Sequence, residues 1–264
     1  MMNIIRADIY AMIRGKGLYI TFGLIFLLNI LMINAQGSGT VGIHFSDGAL
    51  GVEMQELGFD GIRSVILLYT NMSNMMFFLL PLIILVSAPI FTHGTVKNDI
   101  SWGISRTKLY LSKLCTAITL CIIMVLFYMG TGMGIATILN GWGGVAPNGY
   151  WTNLFQTVGT QTLLLMAMTA IGVFFVFTFK RTSIVMGAFI VFCFAPGFAI
   201  ALLVDAGLFF TQMMDFDLML GIMRLGYLSQ LETNSILSLL MVGVFYILVT
   251  TIGGITLFKR AEIK

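Results

Sequence analysis

The chain has 264 residues, 58% hydrophobic and 9% charged, with a mean hydropathy of +0.99 and a formal net charge of +3. Water-soluble domains carry about 25% charged residues, so a soluble globule is excluded and the composition reads as an all-α integral membrane protein. Cys115, Cys121 and Cys193 all fall in apolar segments and imply no disulfide framework. His44 and His93 fall on opposite faces of the topology derived below, which argues against a shared metal site.

Met2, Ile5, Ile9, Met12 and Ile13 recur at helical spacing around Arg6, Asp8 and Arg14. Residues 2–14 are therefore predicted to form an amphipathic helix lying in the membrane interface. Gly15 and Gly17, flanking Lys16, interrupt it, and a first span is predicted over 18–34. A cleaved leader is the rival reading of a basic start before an apolar run, but Ile33 two residues before Ala35 makes a poor cleavage site. Further charge-free runs predict spans at 65–91, 114–139, 154–179, 184–210 and 236–258, each meeting the requirement of ~20 residues for a crossing helix. Six spans put both termini on one side.

Charge then chooses the side. All of the 14 Lys and Arg except Arg63 and Arg224 fall in the N-terminal stretch, the 92–113 loop, the Lys180–Arg181 turn and the tail after Phe258. Of the 11 acids only Asp8, Asp99 and Glu262 accompany them. The bias in basic residues predicts cytoplasmic termini. On the other side, residues 36–64 are glycine-rich and then carry Leu50, Val52, Met54, Leu57 and Phe59. Residues 211–234 include Phe216, Leu218, Met219, Ile222 and Leu225. Neither is long enough to cross, so each is predicted to hold a re-entrant or interfacial helix, with a loose amphipathic loop as the alternative. Trp142 and Trp151, in the turn-rich stretch between the third and fourth spans, suit the opposite interface. No internal repeat is visible.

Chemistry is sparse. No ionisable residue lies in the middle of any span, which counts against an ion-coupled carrier. An acid pair, a metal cluster or a serine with a base, as an intramembrane enzyme needs, cannot be assembled. The Gly15–Lys16 pair has Tyr10 where a phosphate-binding GxxxxGK[ST] loop needs its first glycine. The chain is thus expected to be no enzyme, to bind no cofactor itself and to meet no nucleic acid; energy for uphill movement would enter from a partner. Asn29, Thr70, Asn71, Asn74, Thr131 and Gln161 are candidates for a pathway or a subunit contact, with hydrogen bonding between helices as the plainer alternative. Gly130, Gly132 and Gly134 permit close helix contact.

The stretch from Phe91 to Leu114 interrupts the second and third spans on the basic side. Gly94 and Gly103 bracket residues 95–102, which reads as hinge, short helix, hinge, with an ordinary basic loop as the plainer alternative. Thr95 is a candidate cap, and Val96, Ile100 and Ile104 share an edge that suits docking into a groove on another protein. Ser105 is placed to cap a new helix carrying Arg106, Lys108 and Lys113 into the third span.

The run Gly94, Thr95, Val96, Lys97, Asn98, followed by Gly103, Ser105, Arg106 and Lys113, resembles the signature loop of permease subunits in the type 2 ABC transporter family. The interfacial helix, six spans, basic tail and apolar outer segment agree with that family in layout. Relatives often carry an acid just before the Gly-Thr pair, whereas residues 87–93 contain none, which leaves no basis for a salt bridge from that position. The resemblance implies a coupling helix over 95–102, with Ile100 and Trp102 among its contacts, that docks on a separate ATPase subunit holding ATP and Mg. It also implies a second permease subunit, identical or related, in a bacterial cell membrane. The implied cargo is hydrophobic or amphipathic peptide, as in bacitracin, lantibiotic or cytolytic-peptide export or immunity. The runner-up is a membrane scaffold, sensor or immunity subunit that binds an ATPase without transporting.

Overall fold

The computed structural model describes residues 2–34, 60–92, 94–144, 149–205, 216–227 and 233–260, which are helical apart from short connections. Most of the first outer segment expected over 36–64, the 206–210 extension of the fifth span, and both histidines lie outside the described residues.

The chain opens with α1, Met2–Arg14, and α2, Lys16–Asn34, which meet at Gly15. Where a single second span is predicted, the chain instead forms α3, Ser64–Thr70, a 3-10 turn over Met72–Asn74, and α4, Met75–Ser87, with a bend of 51° between the two parts. A four-residue helix α5, Pro89–Thr92, leads to α6, Thr95–Ser101. Then follow α7, Arg106–Asn140, α8, Tyr150–Phe179, α9, Thr182–Asp205, α10, Leu218–Tyr227, and α11, Thr233–Arg260. Among the described residues five helices are long and apolar enough to cross a membrane, or six if the bent pair counts as one.

Helix α8 is the hub, packing against α4, α7, α9, α10 and α11. It is buried on most of its circumference because small residues let neighbours approach. Gly172 faces Ile83 and Phe189, while Ala167 and Ala170 are fully buried beside Leu164, Leu165 and Val173. The outer segment before the last span, which left helix and loop open in sequence, is helical as α10. Leu218, Ile222 and Leu225 are buried against the bundle. Among the three glycines of α7, Gly132 meets Leu68 of α3, whereas Gly130 and Gly134 face open space.

Side-chain contacts sort the helix ends into two groups. Lys113 of α7 reaches Asp8 of α1, and Arg106 reaches the end of α11. The rings of Phe91, Phe177 and Phe258 pack edge to face, joining α5, the end of α8 and the end of α11. These elements share one end of the bundle, and the basic residues gather there. At the opposite end the 60–63 turn pairs with the end of α7, Gly61 N–H donating to the Gly141 carbonyl at 2.9 Å and Ile62 N–H to that of Trp142 at 3.2 Å.

Candidate functional site

The hinged helix α6 lies at the basic end. Gly94 holds φ of +63° as its N-cap and Gly103 holds φ of +81° beyond its C-cap, Trp102. A Cβ at either glycine would meet nothing within 4 Å, so backbone conformation, not packing, demands glycine there. The helix is one residue shorter than the expected 95–102. Gly94 takes the capping position proposed for Thr95, because the left-handed turn comes one residue earlier. The side chains of Thr95 and Lys97 lie outside the described residues.

The apolar edge of α6 differs in role from the sequence expectation. Val96 is 4% exposed, and Ile100 and Ile104 pack against the same core. That edge seats the helix on its own bundle instead of offering itself to another protein. What faces outward is Asn98, Ser101 and above all Trp102, which is 85% exposed. The Ser101 hydroxyl donates to the Asn98 carbonyl at 2.7 Å, and the Trp102 N–H donates to the same carbonyl at 3.0 Å, which closes the last turn.

Ser105 caps α7 as expected, its Oγ accepting from the Lys108 N–H at 3.4 Å. Arg106 donates to the carbonyls of Phe258 at 3.1 Å and Lys259 at 2.8 Å. It thereby supplies a cationic donor to acceptors in the last turn of α11. Lys113, 7% exposed, donates to Asp8 Oδ1 at 2.7 Å, while Asp8 Oδ2 is buried with no hydrogen-bond partner among the described residues. Asp99 of α6 is within electrostatic reach of this pair. Partial burial raises its carboxyl above the ordinary value, a push that Lys113 opposes and Asp8 reinforces. Four of the residues singled out on the basic loop, Val96, Ile100, Arg106 and Lys113, thus tie α1, α6, α7 and α11 into one body.

The neutral polar residues divide into two staples. Asn29 of α2 donates through Nδ2 to the Tyr128 carbonyl at 3.0 Å and to Thr131 Oγ1 at 2.7 Å on α7. The second set gathers at the break between α3 and α4. Thr70 donates to the carbonyls of Ile66 and Gly226, Asn71 Nδ2 donates to that of Leu67, and Asn74 is buried beside them. Gln161 of α8, fully buried, donates to the carbonyls of Tyr69 at 2.9 Å and Ile222 at 3.0 Å. Around the break these donors reach backbone carbonyls of both α3 and α10 and so hold the two helices together in apolar surroundings. Close approach of α10 allows it: a Cβ on Gly226 would fall 2.8 Å from the Thr70 backbone.

Asp217, counted in sequence among the outer-side charges, is buried at the start of α10 and lies against Gly197 of α9. Burial raises its carboxyl above the usual range, while the N–H groups of Leu220 and Met219 favour the charged form. The signal was present: an Asp three residues ahead of Leu220, at the head of an apolar helix, is a capping pattern. Among the described residues no three His, Cys, Asp or Glu side chains come together as a metal site. No known protein family matches the chain, and no curated protein sequence matches it.

Proposed function

We propose that this chain is the six-span permease subunit of an ATP-driven ABC exporter, with the basic end cytoplasmic and α6 as the contact for a separate ATPase. Hydrophobic or amphipathic peptide is the proposed cargo. One observation carries the reading: a short helix bounded by two left-handed glycines is seated on the core by its apolar edge and leaves Trp102 almost fully exposed. An aromatic side chain left in that position on a rigid mount is the kind of residue that anchors protein contacts. The concentration of basic residues at the same end supports its cytoplasmic placement.

Trp102→Ala tests this directly. Because the side chain touches little of its own chain, the variant is expected to insert and to keep its unfolding midpoint within about 0.5 kcal/mol. It should also lose co-purification with the ATPase subunit and the stimulation of ATP hydrolysis. Retained association and stimulation would reject α6 as the contact.

One observation favours a second reading, a scaffold that binds an ATPase without transporting. Asn29, Thr70, Asn71, Thr131 and Gln161 form hydrogen bonds between or within helices, the plainer of the two roles open to them. Reconstituted vesicles separate the two: ATP-dependent uptake of an amphipathic peptide by the permease with its ATPase supports the exporter, and an ATPase that binds without any flux supports the scaffold.

A further inference from the structure

Helix α1 meets the start of α2 at the basic end, and its apolar edge, expected to face the membrane, packs instead on the bundle. Met12 is buried, Ile9 packs against the core, and Asp8 is turned inward to Lys113. The opposite side of α1 presents Arg6, Tyr10 and Arg14 at successive helical turns, all exposed, with the Arg14 guanidinium 4.6 Å above the centre of the Tyr10 ring. Just past Gly15, Lys16 opens α2 and is exposed as well. It heads the face of that span on which Tyr19, Ile20, Leu27 and Leu31 are exposed at helical spacing. Lys16 and Arg14 therefore stand where an apolar span leaves the hydrocarbon, at the level of lipid phosphates.

We propose that the junction of α1 and α2 binds an anionic phospholipid, with the phosphate between Arg14 and Lys16, an acyl chain along Tyr19, Ile20 and Leu27, and Arg6 extending the basic surface along α1. Charge complementarity selects the headgroup. Asp8 is the only acid in residues 2–34, and its carboxylate is engaged inside by Lys113. Among the described residues neither Arg14 nor Lys16 is in an ion pair. Such a surface favours a net negative lipid over a zwitterionic one. The exposed face of α2 selects the source, because a free anion gains nothing from Ile20 and Leu27. No cavity is needed: the acyl chain lies on an open helix face, and the selectivity resides in the headgroup contacts. The site is independent of whether an ATPase binds at α6.

Native mass spectrometry of the delipidated protein, re-equilibrated with an equimolar mixture of phosphatidylcholine and phosphatidylglycerol, reads the preference as the ratio of the two lipids retained. The wild type is expected to retain phosphatidylglycerol. The double variant Arg14→Gln/Lys16→Gln changes two exposed side chains and should lower that preference about twentyfold, from roughly fivefold per basic residue at an anionic leaflet. A control variant, Lys259→Gln/Arg260→Gln, removes the same charge from exposed positions at the end of α11, close in sequence to Glu262, and should leave the ratio within about twofold. Equal losses in both variants would mean diffuse surface charge and would overturn the site, as would a ratio unchanged by Arg14→Gln/Lys16→Gln. Inorganic phosphate or soluble glycerophosphoglycerol at millimolar concentration should not displace the lipid; displacement by either would make it a free-anion site and sink the lipid assignment.

Discussion

The half-buried pair of Lys113 and Asp8 joins α1 to α7, and removing one partner is costlier than removing both. Lys113→Met leaves the half-buried Asp8 carboxylate without its cation, with one oxygen already lacking a donor, and is expected to cost about 1–3 kcal/mol. Adding Asp8→Asn should recover most of that loss. Denaturant titration in detergent micelles measures both, and a double variant no better than the single would show that the pair is not what holds α1. Asp99 gives a pH signature. Its carboxyl is raised in the folded state, so folding favours the protonated form, and stability falls as pH climbs from the ordinary value of 3.8 through the raised one. Asp99→Asn should therefore stabilise at neutral pH, with the gain vanishing as the medium is acidified below that window. A gain that is independent of pH would assign it to some other cause.

At the scale of the element, the two glycines around α6 and the glutamine under the broken span carry the next two expectations. Gly103→Ala forces a Cβ into left-handed backbone with no clash, so it should cost about 1–2 kcal/mol, visible as faster amide exchange confined to α6 and the start of α7. Unchanged exchange would mean the turn tolerates Ala. Gln161→Leu removes the side-chain donor that joins the Tyr69 and Ile222 carbonyls, each of which sits in or at the end of a helix, and should cost about 1 kcal/mol. Melting of the variant close to the wild type would show that the break between α3 and α4 holds without it.

These elements also show what the sequence conveyed and what it withheld. The hinge–helix–hinge around α6 was legible because glycine bracketing and the Ser105 cap are local features. The inward seating of Val96 and Ile100 was not, since an apolar edge on a short helix looks the same whether its groove belongs to the same chain or another. The break at Asn71 was hidden for a related reason. Hydropathy averages over the whole run 65–91 and reports apolar character, while the kink depends on Gln161 and Gly226, which arrive from distant helices. Arg106 and Lys113 carried a resemblance to a coupling loop; that they bond to α11 and α1 needed the three-dimensional arrangement.

For the whole molecule, α7 is the feature with the widest reach. Its 35 residues make a rod of about 52 Å at 1.5 Å per residue, longer than the ~30 Å hydrocarbon layer, so both ends stand outside it. One end follows directly on the Gly103 turn and is clamped to α11 by Arg106. The other carries the 60–63 turn on the carbonyls of Gly141 and Trp142. A push delivered beside Trp102 would therefore not dissipate locally. Pivoting such a stiff strut by about 5° sweeps its far tip through roughly 4–5 Å, dragging the head of the kinked span with it. A force felt on one water-facing surface would reappear, within a single helix, as displacement on the other.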